Sequence, residues 1–405
     1  MNLRQRILPL LLALLLCLPV TAGAVRPVGV IIDGQAVAFD DTYGHPFVDE
    51  AGRTQVPFRV TLETFGCTVS WDNDTRTAIA EKDGVVVAVP IGQAYILENG
   101  RQIPIDTTSR IRENRTYLPI RAVLEAFGAY VTWDQENRLV MADTGMPLVR
   151  VHFMEVGQGD ATLIDTGELE VLIDGGTNKA GPRLVEYLRG HVDGSLDYVI
   201  ATHPDHDHIG GLDDVLAAFP VGEIIDSGYP NDTQSWADYW AAVEAEPDCT
   251  LSFDEDRIIP LNETAYLEII ETGDHWDSSN DSSVIAQLVC GEVDVLFTGD
   301  MTAKAERESL ALFRDVEVLK VGHHGSKTST SQEFLAVIRP EYAVASYHKN
   351  NSYGHPTAVV LQRLFDFGTT VYGTGKSGNI VLTTNGLDYS FNTGSPLTIE
   401  DAGTT

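Results

Sequence analysis

The sequence predicts a layered α/β domain preceded by a smaller α+β repeat domain. From about residue 148 onward, short apolar runs alternate with helical patterns, and chemistry-bearing residues sit where the runs end. Residues 28–143 contain an internal repeat. The apolar run Tyr198–Ala201 ends in Thr202-His-Pro-Asp-His-Asp-His-Ile-Gly-Gly211, a loop dense in imidazoles and carboxylates.

The repeat is explicit at the residue level. Pro57 matches Pro119, Arg59 matches Arg121, Glu63 matches Glu125, Phe65-Gly66 matches Phe127-Gly128, and Trp71-Asp72 matches Trp133-Asp134. Each copy reads as a Pro-opened helix of two or three turns, stopped by Gly and followed by an alternating strand. His45 is the single histidine of this segment, so it offers no set of imidazole ligands. A structural or surface-binding appendage is the reading adopted for it.

In the second domain, Val149–Val156, Ala161–Ile164 and Glu170–Ile173 read as strands, separated by Gly157-Gln-Gly-Asp160 and closed by Asp174-Gly-Gly176. Gly181–Arg189 opens on Pro182 as a helix, and Leu212–Phe219 and Trp236–Ala245 are further helices. Strands are expected near Leu251 and over Tyr266–Glu271. Ser282–Leu288 and Val293–Thr298 form a hairpin leading into Thr298-Gly-Asp300. A helix over Ala303–Phe313 and a strand over Val316–Val321 lead to Gly322-His-His-Gly-Ser326, and a further helix and strand reach Tyr353-Gly-His-Pro356. Gly375-Lys-Ser377 lacks the earlier glycine of a phosphate loop, because Thr370 stands there, and reads as a hairpin turn. Trp236, Tyr239 and Trp240 have helical spacing and are assigned to core packing. Residues 394–405 are expected to be a flexible tail.

Composition sets bounds on function. The chain has 405 residues with 43% hydrophobic content, enough for more than one packed domain. Its net charge of −32 opposes non-specific adsorption to nucleic acid or anionic lipid. Arg4 and Arg6, the apolar stretch Ile7–Val20 and Ala22-Gly-Ala24 read as a signal peptide over residues 1–24, so a secreted or cell-surface protein is expected. Leu16 stands where a small residue would precede a lipidated Cys17, which argues against a lipid anchor. No transmembrane segment is expected in the mature chain. Cys67, Cys249 and Cys290 have no paired spacing and read as small buried hydrophobes.

His203, Asp205, Asp207 and His208 place four imidazole or carboxylate groups in one short loop, a set suited to a divalent cation. Without a cation such a loop is costly to desolvate. His206 lies on the same loop and is expected to face solvent.

The pattern resembles the HxHxDH signature of the metallo-β-lactamase superfamily, departing where Asp205 replaces its second His. Taken with His152–Asp160, Ile173–Gly176, Thr298–Asp300, Leu319–Ser326 and Tyr353–Pro356, residues 148–393 are similar to the hydrolase domain of ComEC-type competence proteins, and more distantly to phosphorylcholine esterases of the same superfamily. The repeat, over 28–145, resembles the N-terminal domain of copper amine oxidases. The resemblance implies a four-layer αββα sandwich and two divalent metal ions, with Zn²⁺ expected and Mn²⁺ competing, that share a bridging hydroxide. It implies His203 and Asp205 at the first metal, Asp207 and His208 at the second, Asp300 between them, and His355 completing the second. Asn280 stands where the third ligand of the first site is usually a histidine, so that site is oxygen-rich. Catalytic roles fall to Asp207 and to the pair His323 and His324, with His323 assigned to the substrate oxygen and His324 its rival. Asp160 and Asp174 are expected to orient ligands.

A phosphodiester or nucleic-acid substrate is the leading implication, with lactone, thioester or phosphocholine esters as the alternative hydrolase chemistry. A surface-binding protein with a vestigial site is the third reading, and cell-wall or surface contact would run through the N-terminal domain. Lys320, Lys327, Lys349 and Lys376 are the candidates for a local basic patch.

Overall fold

The computed structural model describes residues 27–134, 137–145, 148–246, 248–273 and 276–403. Residues 1–24, where a signal peptide is expected, and Met146 and Pro147 lie outside these. The chain divides into two units, residues 1–146 and 147–405. Among the described residues no helix is long and apolar enough to cross a membrane.

The N-terminal unit is mostly β, and its two sequence copies are related in space. Thr54–Pro57 pairs antiparallel with Arg115–Pro119, so that Val56 faces Leu118, its counterpart in the other copy. Each strand runs straight into a short helix, Phe58–Thr64 or Ile120–Glu125. The prolines act as N-caps, where a missing N–H leaves no donor unsatisfied. Gly66 and Gly128 follow in the left-handed conformation that ends each helix. The counterparts Phe65 and Phe127 meet with ring centroids 5.7 Å apart.

The second unit is built on two sheets. The eight-stranded sheet runs, in spatial order, Thr250–Phe253, Val221–Asp226, Leu196–Ala201, Glu170–Ile173, Thr162–Asp165, Val149–Phe153, Ile380–Thr384 and Tyr389–Phe391. The seven-stranded sheet runs Arg257–Pro260, Ala265–Ile270, Ile285–Cys290, Val293–Phe297, Val318–Lys320, Tyr342–Ala345 and Thr370–Gly373. Strand alternation explains how both faces of each sheet are covered. Val171, Ile173, Ile200 and Ile225 of the first sheet pack against Leu267, Leu288, Val295 and Val318 of the second. Their neighbours Leu172, Val199 and Ile224 point the other way, onto Leu184, Leu188, Leu212 and Val215 of the helices Gly181–Leu188 and Leu212–Ala218. On the outer face of the second sheet, Leu296, Leu319 and Ala343 meet Phe334, Leu335, Val360 and Leu364. The order of layers is therefore helix, sheet, sheet, helix, the metallo-β-lactamase fold that the motifs implied.

Local differences have simple causes. The helix expected over Ala303–Phe313 ends at Glu308, and Leu310–Leu312 is a 3₁₀ turn. Gly375-Lys-Ser377 belongs to a single helical turn, Thr374–Ser377, in place of a hairpin turn. A Cβ on Gly375 would lie 2.7 Å from the Tyr347 ring, so close packing is what this glycine serves. Tyr239 is buried and Trp236 stacks on Trp240 at 5.6 Å within the helical layer, as core packing requires. Cys67 and Cys290 are buried and Cys249 is half-buried; all three are free thiols.

The expectation of a flexible tail does not hold for residues 394–403. Leu397 is 3% exposed and packs with Leu361, Leu364 and Val371. Lys376 pairs with Asp401 at 2.9 Å, and the Gly403 N–H donates to the Pro356 carbonyl at 2.9 Å. The polar composition of the segment concealed one apolar anchor. Replacing Leu397 with Ala is expected to destabilise the unit by about 2–4 kcal/mol, the usual cost of emptying a buried leucine site. Chemical denaturation of the full chain measures this, and a midpoint unchanged from the parent would contradict the packing.

Candidate metal centre

The site is assembled from strand ends of both sheets. Thr202 and His203 follow the strand Leu196–Ala201, and Asp174 follows Glu170–Ile173. From the other sheet come Asp300 after Val293–Phe297, His323 and His324 after Val318–Lys320, and His355 beyond Tyr342–Ala345. Parallel strands leave their carboxyl ends side by side, so five loops open toward one volume. Loop closeness demands glycine: a Cβ on Gly159 would stand 2.4 Å from the Asp207 carbonyl, which already accepts the Asp160 N–H at 3.1 Å.

Three imidazoles present the same edge inward. His208 donates from Nδ1 to Asp174 Oδ2 at 2.7 Å; the carboxylate can only accept, so Nε2 is the nitrogen left to face the centre. His324 donates from Nδ1 to the Ser346 carbonyl at 3.1 Å, with the same consequence. His203 Nδ1 lies 3.1 Å from Thr202 Oγ1, whose own proton goes to Asp174. The Asp174 carboxylate thus fixes two imidazole-bearing segments at once, and accepts the Thr202 N–H at 2.8 Å as well. Asp174 stands behind the ligand loop, bonded to Thr202 and to the outer edge of His208.

The inward atoms surround Asp300. His208 Nε2 is 3.2 Å from Asp300 Oδ1, while His203 Nε2, His323 Nε2 and His324 Nε2 lie 4.0, 3.6 and 3.7 Å from Asp300 Oδ2. His324 Nε2 is also 3.4 Å from Asp207 Oδ2, and His203 Nε2 is 3.9 Å from Asp205 Oδ2. One ligand atom from each of Asp160, His208, Asp300 and His324 falls within 4.8 Å of all the others. His355 stands at the edge, its ring 5.9 Å from that of His323 and 6.4 Å from that of His324. Asn280 Nδ2 comes to 3.5 Å from His323 Nδ1. His206 is exposed.

Burial distinguishes the members. The side chains of His203 and His208 are 0% exposed, His324 2% and Asp300 5%, whereas Asp205, Asp207 and His323 are 38, 24 and 23% exposed. The opening therefore lies on the side of Asp205, Asp207 and His323. A cavity of about 650 Å³ adjoins it, lined by Tyr229, Asn231, Asp232, Asp277 and Ser279 among others. Ser279 links the two by donating to Asp205 Oδ1 at 2.9 Å.

The electrostatics of the group are those of a cation site. Burial opposes ionisation of Asp300, but His208 and His324 hold its pKa well below the carboxylate range. Burial opposes protonation of His208, yet Asp300 and Asp174 keep its pKa well above the usual imidazole value. His203 is shifted down by burial and by repulsion from His208. Burial and the neighbouring His324 and His323 push His355 down to about 4. In this arrangement imidazole protons supply positive charge that a divalent ion would supply in their stead. The donor set fits such an ion: His203 Nε2, His208 Nε2, His324 Nε2 and Asp300 Oδ1 are buried and make no hydrogen bond within the protein.

The local basic patch expected from the sequence is corrected here. Lys320 is 3% exposed and its Nζ lies 2.6 Å from Asp160 Oδ2, so it cannot serve an exposed basic patch. Lys376 is held by Asp401 and the Pro396 carbonyl, leaving Lys327 and Lys349 exposed near the site. Asp160 Oδ1 lies 3.6 Å from His324 Nδ1, the edge of that ring turned away from the centre. Its pairing with a lysine 160 residues away was invisible to spacing arguments.

Comparison with known proteins agrees with this architecture. Residues 31–142 match the copper amine oxidase N-terminal domain and residues 154–348 the metallo-beta-lactamase superfamily. The chain carries a copper amine oxidase N-terminal domain followed by a metallo-β-lactamase superfamily domain. Its relatives include "Recombination protein 2" of Haemophilus influenzae, 31% identical over 249 residues, covering 60% of this chain and 30% of that protein. "ComE operon protein 3" of Bacillus subtilis is 30% identical over 251 residues, covering 57% of this chain and 32% of the relative. "Competence protein ComA" of Neisseria gonorrhoeae is 31% identical over 236 residues, covering 55% and 30%. The chain thus spans about 30% of the length of these relatives. Among solved structures, the metallo-beta-lactamase fold protein YhfI of Bacillus subtilis is 13% identical, with a TM-score of 0.41 over 59% of this chain and 100% of that one.

Asp174 touches no inward atom, so its substitution isolates ligand positioning. Asp174→Asn is expected to weaken Mn²⁺ or Zn²⁺ binding by roughly 10–100-fold. Equilibrium dialysis against each metal reads the change, and affinity equal to the parent's would contradict the positioning role.

Proposed function

We propose that the chain is a hydrolase dependent on divalent metal ions, acting on phosphodiesters and on single-stranded nucleic acid among them. The observation that carries this reading is the convergence of His203, His208 and His324 Nε2 with Asp300 Oδ1, all buried and making no hydrogen bond, beside an open rim. Similarity to the competence and recombination proteins named above supports a nucleic-acid substrate. Lactone, thioester or phosphocholine esters are the competing substrate classes. An exported protein whose N-terminal unit contacts a surface is part of the same proposal.

His203 with Asp205, and His208 with Asp207, would hold two ions, Zn²⁺ or Mn²⁺, with Asp300 reaching both and His355 flanking the second. When bound, the ions supply Lewis-acid charge and acidify water. The protein's own groups do the rest. Asp174 and the Ser346 carbonyl keep the Nδ1 protons of His208 and His324 outward, so that both rings offer a lone pair to the centre. His324, fully enclosed and facing Asp207, belongs with the ligands. His323, at the rim with Nε2 toward Asp300, is the group able to donate to a substrate oxygen. Both histidines adopt left-handed backbone conformations, φ 50° and 53°. Such a pair costs on the order of 1–3 kcal/mol per residue, a strain that aims two adjacent rings at one centre.

Activity toward a chromogenic phosphodiester is expected to vanish in chelator and return with Mn²⁺ or Zn²⁺. With metal restored, Asp300→Asn should lower turnover at least about tenfold more than Asp205→Asn, because one carboxylate serves both ions. Equal losses with equal metal content would refute the shared role.

Charge sets a second expectation. With Lys327 and Lys349 as the exposed cations, two phosphate contacts give a slope of about −1.4 in log K against log salt for a single strand. Fluorescence titration of a labelled oligonucleotide at several salt concentrations tests it; a slope several times steeper would require a basic surface that the lysines do not provide.

A further inference from the structure

A ladder of rings leads out of the buried centre. The His355 ring lies over His324 at 6.4 Å with an interplanar angle of 23°, and Tyr353 lies over His355 at 5.7 Å and 25°. The last rung is open: Tyr353 is 62% exposed. One exposed aromatic is ordinary on a protein surface. Here the ring rests against an imidazole of the site and its backbone is braced. Asn351 Oδ1 accepts the N–H groups of both Tyr353 and His355 at 3.0 Å, and Asn351 Nδ2 donates to the His348 and His355 carbonyls at 2.8 and 2.6 Å. The Thr357 N–H donates to the Gly325 carbonyl at 2.9 Å, tying the same loop to the turn that carries His323 and His324. The loop is thus held at both ends while the phenol ring stays in solvent.

We propose that Tyr353 is a stacking platform for an aromatic group of the substrate, a nucleobase or aryl ester next to the phosphodiester at the metal centre. The proposal rests on the phosphodiester reading and adds its substrate class. Stacking suits this surface because it draws on the neutral π-face of a base and asks for no excess of cations in a chain of net charge −32. Every base has such a face, so the platform favours nucleotides over sugar phosphates without selecting a sequence.

The test separates base from phosphate. Calorimetric binding of thymidine 5′-monophosphate and of 2-deoxyribose 5-phosphate to the Mn²⁺-loaded full chain should favour the nucleotide on the order of tenfold. Tyr353→Ala should bring that ratio close to one without changing the affinity for the sugar phosphate or the metal content, whereas Tyr353→Phe and Tyr353→Trp retain it. In turnover of thymidine 5′-(p-nitrophenyl phosphate), Tyr353→Ala should raise KM and spare kcat. A parent ratio near one, a ratio that survives in Tyr353→Ala, or an equal loss of affinity for both ligands would overturn the platform. Absence of phosphodiester turnover with the binding ratio intact would overturn the hydrolase reading and leave the platform standing.

Discussion

Asp300 is a carboxylate with almost no solvent, set at the point where two sheets end. Its charge has to be balanced within a few ångströms, and the surrounding imidazoles are there to do so or to share a cation that does. A buried anion without such partners would cost several kcal/mol. The loops of the second unit are arranged around that requirement: His208 within 3.2 Å, His323 and His324 within 3.7 Å, His203 at 4.0 Å.

The fold meets the requirement by division of labour. One sheet delivers His203 and His208, backed by Asp174; the other delivers Asp300, His323 and His324, backed by the Ser346 carbonyl. Each sheet is covered by helices on its outer face and by its partner on the inner one, so the strand ends move little relative to each other. Asp160 and Lys320 join the two halves beneath the centre, through an ion pair that neither could lose without leaving the other charged and buried. The half-exposed Asp205, Asp207 and His323 then define the side from which a substrate oxygen can approach.

Much of this was legible in the residues. The spacing of His203, Asp205, Asp207 and His208 after an apolar run gives a ligand loop at a strand end, and Thr298-Gly-Asp300 gives a second carboxylate at another. The repeat declared itself through paired prolines, glycines and aromatics, and the contacts Val56–Leu118 and Phe65–Phe127 realise it in space. What stayed hidden depends on partners remote in sequence. Lys320 reads as an exposed cation until Asp160 is beside it, and Lys376 until Asp401 is. Residues 394–403 are polar enough to pass for a tail, and one leucine contradicts them. Nothing in the spacing separates His323 from His324, because their difference lies in which ring reaches the Ser346 carbonyl and which reaches the rim.

The central claim is that the inward imidazole and carboxylate atoms exist to hold divalent cations. Anomalous scattering at the manganese edge, from crystals grown with Mn²⁺, addresses it directly. The account predicts density enclosed by His203, His208, Asp300 and His324, with the three Nε2 atoms facing it. Anomalous density confined to the acidic surface, with those Nε2 atoms turned onto protein partners, would contradict it.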